Sequence, residues 1–221
     1  MNKNINLIKK SEGDNYFLRN NKEIFVNDHC LDSLKKINIR PKKVLEIGCS
    51  NGRSLNNYKN YLKRKKIKCE CYGIDLSKKA IKDGRKKYNN LKFFNYSSLQ
   101  LEKFNFKFDL IICGFFLYLL DRQYIFEQFD KITKLLNDNG FLIINDFEPI
   151  FPHFNRSVHN KSLNSYKMNY SKFLEASNYY KLIYKHKWET RNLSDKKFLS
   201  NDISVNLFKK VAFEKSFPRN I

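Results

Sequence analysis

The sequence predicts an α/β fold, a doubly wound and mostly parallel seven-stranded sheet whose last two strands form an antiparallel pair. Short apolar runs alternate with helical stretches between residues 44 and 145, as expected for strands joined by crossover helices. After Pro149 the alternation stops, and two more strand-like runs follow with no clear helical stretch between them. The 221 residues are 42% hydrophobic, enough for one domain with a sizeable core, which excludes general disorder.

Each element follows from the local pattern of apolar residues. Strands are predicted at residues 44–47, 69–74, 91–96, 109–113, 141–145, 179–188 and 203–213. Helices are predicted at 54–66, 77–88 and 124–136, the last with Gly140 near its C-terminal end. We expect three segments within one domain: an N-terminal helical or lid segment (1–40), an α/β core (41–148), and a substrate loop followed by the terminal strand pair (149–221).

The charge of the chain is strongly basic, with 43 Lys and Arg against 22 Asp and Glu, a net of +21. This balance suits binding to a polyanion such as RNA. Genomic drift toward AT-rich codons also explains it, because Lys and Asn, which such codons encode, dominate the polar composition. The stretch from Arg53 to Lys92 is especially rich in Lys and Arg and falls mainly on the first two predicted helices of the core. A solvated helix face away from the strand ends is therefore expected.

The cysteines and the apolar runs indicate a reduced cytoplasmic protein without a membrane span. Five cysteines, with no CxxC pair, argue against a disulfide framework and against a zinc ribbon. The longest apolar run, 110–120, is too short to cross a bilayer as a helix, and the first ten residues lack the apolar stretch of a secretory signal.

The segment VLEIGCSNGRS (44–54) is the most informative part of the sequence. A charged Glu46 inside an apolar strand costs free energy unless it is paired or hydrogen-bonded. Gly48 and Gly52 allow a tight turn and a close approach of the backbone to a ligand. Asp75 ends the next predicted strand, where an acid in such sheets accepts hydrogen bonds from ribose hydroxyls.

Three interpretations of this segment compete. A dinucleotide site would require G-x-G-x-x-G, which the turn does not supply. The same residues match G-x-S-x-G, the nucleophile turn of serine hydrolases, with Ser50 as the nucleophile. That alternative leaves Glu46 and Asp75 without a role, whereas the third interpretation accounts for both acids and both glycines.

The third interpretation is a resemblance to the class I S-adenosylmethionine-dependent methyltransferases, which covers roughly residues 41–148. VLEIGCSNG has the E-x-G-x-x-x-G form of their first motif. The further matches are YGIDLS (72–77), FDLIICGFFLYLLD (108–121) and NGFLIINDF (139–147), in the family's order. The resemblance implies the Rossmann-like methyltransferase fold, with S-adenosylmethionine as cofactor and S-adenosylhomocysteine as product.

The resemblance assigns roles to the first turn. It implies that Glu46 lies near the methionine amino group or the water network of the turn. It also implies that the backbone of Gly48, Cys49 and Ser50, with Gly52 closing the turn, passes beneath the cofactor.

Roles at the following strand ends come from the same resemblance. Asp75 would bind the ribose hydroxyls, and Leu76 would pack against adenine. Ser97 or Ser98 stands where many members place an Asp toward the adenine amine, a departure that weakens this contact. Cys113 and Gly114 would line the methionine arm.

The N-terminal segment offers a candidate lid. Arg19 is expected to pair with the methionine carboxylate and Tyr16 to cover the cofactor. Packing of these residues on the core is the alternative.

Residues after the fifth strand supply candidates for the acceptor side. His153 and His159 are candidate general bases because histidine titrates near neutrality, and Tyr166 is a further catalytic candidate. The basic residues Arg156, Lys161 and Lys167 would suit a phosphate or would be solvated loop charges. No metal is expected, because Asn145-Asp146 lacks the rest of an acidic ligand set.

The stretch 146–173 also resembles the tail of bacterial methyltransferases associated with sugar and surface-polysaccharide gene clusters. That resemblance implies a small polar acceptor, a hydroxyl or an amine of a nucleotide-linked sugar. The alternatives left open are an RNA methyltransferase that uses the basic surface, a serine hydrolase, and a cofactor-binding regulator without catalysis.

Overall fold

The computed structural model describes residues 3–21, 28–188 and 202–216. Its strands are β1 (Lys43–Ile47), β2 (Glu70–Ile74), β3 (Lys92–Phe94), β4 (Phe108–Gly114), β5 (Leu136–Phe147), β6 (His153–Arg156), β7 (Asn164–Lys167), β8 (Tyr180–Trp188) and β9 (Ile203–Lys210). Seven of them form one sheet in the order β3-β2-β1-β4-β5-β9-β8. The first five strands are parallel, and β9 is antiparallel to both β5 and β8. The predicted fold class is confirmed.

Helices cover both faces of this sheet. They are α1 (Lys3–Leu7), α2 (Gly13–Asn20), α3 (His29–Lys35), α4 (Arg53–Arg64), α5 (Lys78–Lys87), α6 (Ile125–Leu135), α7 (Ser171–Ala176) and α8 (Phe213–Ser216), and a π-helical turn, Ile8–Glu12, joins α1 to α2. Side chains fix some of the helix starts. The Ser77 hydroxyl accepts a hydrogen bond from the backbone N–H of Ala80 at 3.0 Å and so begins α5.

The central strands are buried on both faces, which explains their nearly continuous apolar sequence. Leu45 and Ile47 of β1 point into one core, beside α6, whereas Val44 points into the other, beneath α3 and α4. All three side chains are at most 1% exposed. Polar groups are therefore expected mainly where the strands end.

The structure differs from the sequence-based prediction in two places. Residues 149–177, predicted as irregular, contain the separate hairpin β6–β7 and the short helix α7. Gly140, predicted near the C-terminal end of the helix 124–136, instead lies inside β5, because the backbone becomes extended at Leu136, directly after α6. Residues 189–201, which connect the last two strands, lie outside the described residues.

The N-terminal helices are fastened to the core by buried polar contacts. The backbone N–H of Asn4 donates to both carboxylate oxygens of Asp121, at 3.2 and 3.1 Å. The amide nitrogen of Asn4 donates to the carbonyl oxygens of Leu119 and Asn164, at 2.8 and 2.7 Å. Since Asn164 belongs to β7, one side chain ties α1 both to the loop after β4 and to the hairpin.

The basic run lies mainly on α4, on α5 and on the connection from α4 to β2, the elements predicted to carry it. In the part of the chain that the structure describes, no helix combines the length and the apolar character that crossing a membrane requires.

Candidate functional site

A cavity of about 400 Å³ lies beyond the carboxyl ends of β1 and β2, where doubly wound sheets bind their ligands. The segment 3–20 covers it on one side and the hairpin β6–β7 on another. Its wall is formed by Ile5, Ile8, Glu12, Gly13, Tyr16, Phe17, Arg19, Ile47, Gly48, Ser50, Ile74, Asp75, Leu76, Ser77, Tyr96, Ser97, Ser98, Phe115, Phe116, Tyr118, Leu119, Leu120, Asn155, Arg156, Ser157, Val158, His159, Leu163, Ser165 and Lys167.

The turn after β1 forms the floor of the cavity in a backbone conformation that few residues adopt. Gly48 has φ +75° and Ser50 has φ +49°, both in the left-handed region. The N–H groups of Gly48 and Cys49 donate to the carbonyl oxygen of Ile74, at 2.9 and 3.0 Å, which locks the turn onto β2. A Cβ atom at Gly48 would lie 3.0 Å from Cβ of Phe116, so glycine avoids a close contact with this residue of the cavity wall.

Asp75 is oriented on the cavity wall by the backbone. Its carboxylate accepts hydrogen bonds from the N–H of Ser50 at 2.8 Å and from the N–H of Ser77 at 2.7 Å. Burial raises the pKa of Asp75, an effect that these N–H groups oppose and that the nearby Asp14 carboxylate reinforces. Hydroxyl groups of a ligand that donate to Asp75 would stabilise its ionised form further.

Glu46 lies behind the turn and not on the cavity wall. Strand alternation places it on the same face of β1 as Val44, toward α3 and α4, where it is 6% exposed. Its Oε2 has no hydrogen-bond partner within the described ranges. Burial raises the pKa of Glu46 well above its ordinary value, and the carboxylates of Asp28 and Asp75 add to this effect.

Four other predicted cofactor residues, Cys49, Gly52, Cys113 and Gly114, are not part of the cavity wall. Cys49 packs against β2, where a Cβ at Gly73 would lie 2.6 Å from its Sγ. Cys113 is completely buried in the core beside α6. Gly52 faces the ring of Phe93. No atom lies within 4 Å of a Cβ atom built at Gly114, which is not part of the cavity wall.

The segment 3–20 contributes more of the wall than the sequence interpretation assigned to it. Ile5, Ile8 and Glu12 line the cavity together with the predicted Tyr16 and Arg19. Their spacing of three and four residues along the sequence is a helical signal that could have identified this face.

Arg19 has a protein partner in this structure. Its guanidinium forms a 2.5 Å ion pair with the largely buried Glu12, whose other oxygen accepts a hydrogen bond from Asn160 at 3.4 Å. Both partners lie on the cavity wall. The pair therefore links the segment 3–20 to the loop of the hairpin.

The predicted Ser97 and Ser98 line the cavity in a loop held by two glutamines. The side-chain oxygen of Gln100 accepts a hydrogen bond from the Ser97 N–H at 3.0 Å. The buried Gln128 of α6 donates to the carbonyl oxygen of Ser98 at 3.1 Å. Leu76 also lies on the wall, between Asp75 and α5.

The structure separates the two predicted histidine bases. His159 lines the cavity, whereas His153 does not. The Nδ1 of His153 lies 3.0 Å from the carbonyl oxygen of Phe151, and its Nε2 is buried without a partner among the residues described.

Tyr166 does not line the cavity, because strand alternation turns it to the opposite face of the hairpin. There its ring packs against the Arg122 guanidinium, 4.8 Å from the ring centre. Tyr118, which the sequence interpretation missed, does lie on the wall. Burial raises the pKa of Tyr118 well above its ordinary value, so its phenol is a neutral hydroxyl that can donate to a ligand.

Asp146 lies behind Tyr118 at the end of β5. It is 2% exposed, and it accepts hydrogen bonds from the N–H of Phe147 at 2.8 Å and from the N–H of Tyr118 at 3.4 Å. Burial raises the pKa of Asp146 to about 7, although these N–H groups and Arg122 lower it.

The raised pKa of Asp146 predicts a pH-dependent stability. The pKa of Asp146 is about 7 in the folded protein and 3.8 ordinarily. At a pH between these two values, the folded protein therefore retains a proton on Asp146 that the unfolded chain has lost. The wild type therefore loses stability as pH rises through this window. Asp146→Asn should not show this decrease in stability. The free energy of unfolding of the variant minus that of the wild type should therefore be larger at pH 8 than at pH 5. Urea unfolding at both values checks this, with the exposed Asp130→Asn as control, and an equal difference at both values would refute it.

The serine hydrolase alternative finds no support at Ser50. The backbone N–H of Ser50, bonded to Asp75, is the group that the structure holds in place. Within residues 3–21, 28–188 and 202–216, no hydrogen bond joins the Ser50 hydroxyl to a histidine, the base that such a nucleophile requires.

Comparison with known protein families agrees with the methyltransferase interpretation. A family model described as a methyltransferase domain matches residues 45–142, which contain the turn after β1 and Asp75. An uncharacterised protein of Rickettsia prowazekii, RP028, is 32% identical over 108 residues. The aligned part covers 46% of this chain and 41% of that protein, so the chain spans less than half the length of this relative.

Solved structures share the fold at low sequence identity. The N-methyltransferase NodS from Bradyrhizobium japonicum, in complex with S-adenosylhomocysteine, has a TM-score of 0.63 and 16% identity, covering 94% of this chain and 98% of that one. The magnesium protoporphyrin IX methyltransferase from Synechocystis, with bound S-adenosylmethionine, has a TM-score of 0.63 and 16% identity, with coverages of 94% and 97%.

Proposed function

We propose that this chain is a class I S-adenosylmethionine-dependent methyltransferase and that it transfers the methyl group of its cofactor to a small polar acceptor bound in the cavity. The observation that carries the proposal is the backbone-oriented Asp75 carboxylate beside a glycine turn at the carboxyl ends of β1 and β2. The same elements enclose a cavity of about 400 Å³, a size that suits small ligands.

The residues present fit the cofactor. Asp75 would hold the ribose hydroxyls, Leu76 and the Ser97–Ser98 loop would surround adenine, and the Gly48–Ser50 turn would lie beneath the methionine part. Glu46, with one unsatisfied buried oxygen, would act from behind the turn and not by direct contact. When bound, S-adenosylmethionine supplies an electrophilic methyl group carried on a sulfonium.

The acceptor would occupy the part of the cavity between the lid and the hairpin. The apolar side chains of Phe115 and Phe116 line the same cavity and would exclude water from it, which would favour alignment of the acceptor for transfer. Tyr118 would donate a hydrogen bond from its neutral phenol. A hydroxyl or an amine of a small metabolite, such as a nucleotide-linked sugar, fits this mixture of apolar and polar groups.

His159 is the general base that the geometry favours, because it alone of the two predicted histidines lines the cavity. It would accept the proton from the acceptor hydroxyl or amine as the methyl group is transferred. Tyr166, on the opposite face of the hairpin, would act only through Arg122 and the fold.

Two histidine variants provide a matched test of this assignment. We expect His159→Ala to lower the rate of methyl transfer about 100-fold or more and to flatten its pH profile, as the loss of a general base does. His153→Ala, six positions earlier in the same hairpin, should leave the rate within a few fold. Equal losses in both variants would contradict a specific role for His159.

Radiolabelled methyl transfer from S-adenosylmethionine tests the proposed function itself. The acceptor panel should contain nucleotide-linked sugars, their amino-sugar counterparts and total RNA. We expect label in a small-molecule arm, because the lid and the hairpin enclose the cavity and none of the basic residues of 53–92 lines it. Label found only in RNA would show that the acceptor is RNA and not a small molecule. If the protein does not bind S-adenosylmethionine at all, both alternatives are refuted.

A further inference from the structure

We propose that the cavity-facing side of the hairpin β6–β7 is a binding subsite for a phosphate group of the acceptor, with Lys167 as its central cation. The inference rests on the proposed function, because it names the chemical class of the acceptor for the same cavity. Three basic residues were predicted to suit a phosphate. Arg156 and Lys167 line the cavity, whereas Lys161 does not.

The pairing of the hairpin strands brings hydrogen-bond donors together. Asn155 of β6 lies opposite Ser165 of β7, and Lys167 lies two residues further along the same face. All three residues line the cavity. An amide, a hydroxyl and an ammonium group on one face match the several acceptor oxygens of a phosphate.

Lys167 carries a buried ammonium group, whose charge a bound anion would stabilise. It is 8% exposed, and its Nζ lies 4.4 Å from the centre of the Phe147 ring. With the Asn155 amide oriented to satisfy both of its polar atoms, its oxygen accepts a hydrogen bond from this Nζ at 3.2 Å. Burial lowers the pKa of Lys167, so an adjacent phosphate would stabilise its charged form.

The charges of the cavity wall leave a positive excess on the hairpin side. The wall carries two carboxylates, of which Glu12 is paired with Arg19 and Asp75 is held by the turn and by α5. Lys167 and Arg156 face the same cavity from the hairpin, and residues 149–174 contain neither Asp nor Glu. A cationic cofactor would add to this excess, which favours an anionic acceptor.

Arg156 extends the subsite toward the cavity mouth. It is exposed, it lines the cavity at the end of β6, and it forms no ion pair with any residue that the structure describes. An arginine in this position can bind a phosphate oxygen pair, whereas Lys167 supplies a point charge from within.

Calorimetric titration of the protein saturated with S-adenosylhomocysteine tests the subsite. The probes are inorganic pyrophosphate, UDP-glucose and, as a carboxylate without phosphate, glucuronate. We expect the first two to bind the wild type, and Lys167→Met to weaken both by about tenfold or more. Lys167→Arg should retain part of the affinity. Lys161→Met, in the connection between β6 and β7 and off the cavity wall, should retain all of it.

A second variant covers the case in which Lys167→Met does not fold. Asn155 is exposed, so Asn155→Asp should fold, and its carboxylate beside Lys167 should abolish phosphate binding. The subsite is overturned if neither phosphate probe binds, if Lys161→Met loses as much as Lys167→Met, or if only glucuronate binds. The affinity for S-adenosylhomocysteine should be unchanged in all four variants. If the wild type does not bind S-adenosylhomocysteine, the proposed function is refuted, and not only the phosphate subsite.

Discussion

Asp75→Ala is expected to weaken binding of S-adenosylhomocysteine by about tenfold or more. The variant removes the carboxylate that would accept the ribose hydroxyls, and one hydrogen bond to a charged group contributes about 1.5–3 kcal/mol. It also leaves the N–H groups of Ser50 and Ser77 without their acceptor, so the turn that forms the cavity floor loses a support. Calorimetry measures the loss directly.

The control for Asp75 is a carboxylate outside the cavity. Asp130 lies exposed on α6, paired with Lys134, and Asp130→Ala should bind S-adenosylhomocysteine as the wild type does. Because burial raises the pKa of Asp75, wild-type affinity should also fall as pH is lowered through that pKa, and this dependence should be absent from Asp75→Ala. Unchanged affinity in Asp75→Ala would remove this residue from the cofactor site.

Gly52→Ala is expected to destabilise the protein by about 2–4 kcal/mol. Gly52 precedes α4 with φ +79°, a conformation that costs an L-residue about 1–2 kcal/mol. A Cβ atom there would lie 2.5 Å from two ring carbons of Phe93, which is itself 4% exposed and unable to move freely. Chemical denaturation measures the change.

Gly114→Ala is the matched control for Gly52. No atom lies within 4 Å of a Cβ built at Gly114, and its φ is not in the left-handed region. We expect its free energy of unfolding to stay within about 0.5 kcal/mol of the wild type. Equal destabilisation of the two variants would show that the turn before α4 carries no special constraint.

Burial explains which elements the sequence predicted well. The strands β1, β2 and β4 are packed on both faces, so their apolar runs predict them to within two residues. The β6 strand is mostly exposed and has no apolar alternation, and α7 has only six residues, so neither gave a usable signal. The extension of β5 back to Leu136 depends on pairing with Phe108, a long-range contact that local patterns do not encode.

The candidate site was predicted in part for a similar reason. Gly48, Ser50 and Asp75 reach the cavity because strand ends and tight turns are local features. Glu46 was expected near the methionine amino group or the water network of the turn, and strand alternation directs it behind the turn, toward α3 and α4. The spacing of Ile8 and Glu12 marks a helical face in the sequence, but the anchoring of that face over the cavity by Asn4 is a long-range contact that local patterns do not encode.

Calorimetric titration of the wild-type protein with S-adenosylhomocysteine tests most directly the claim that this cavity is a cofactor site. The account predicts saturable binding of one molecule per chain, weakened by Asp75→Ala and unchanged in Asp130→Ala. An absence of binding heat at ligand concentrations in excess of the protein, confirmed by an unchanged melting temperature, would contradict it.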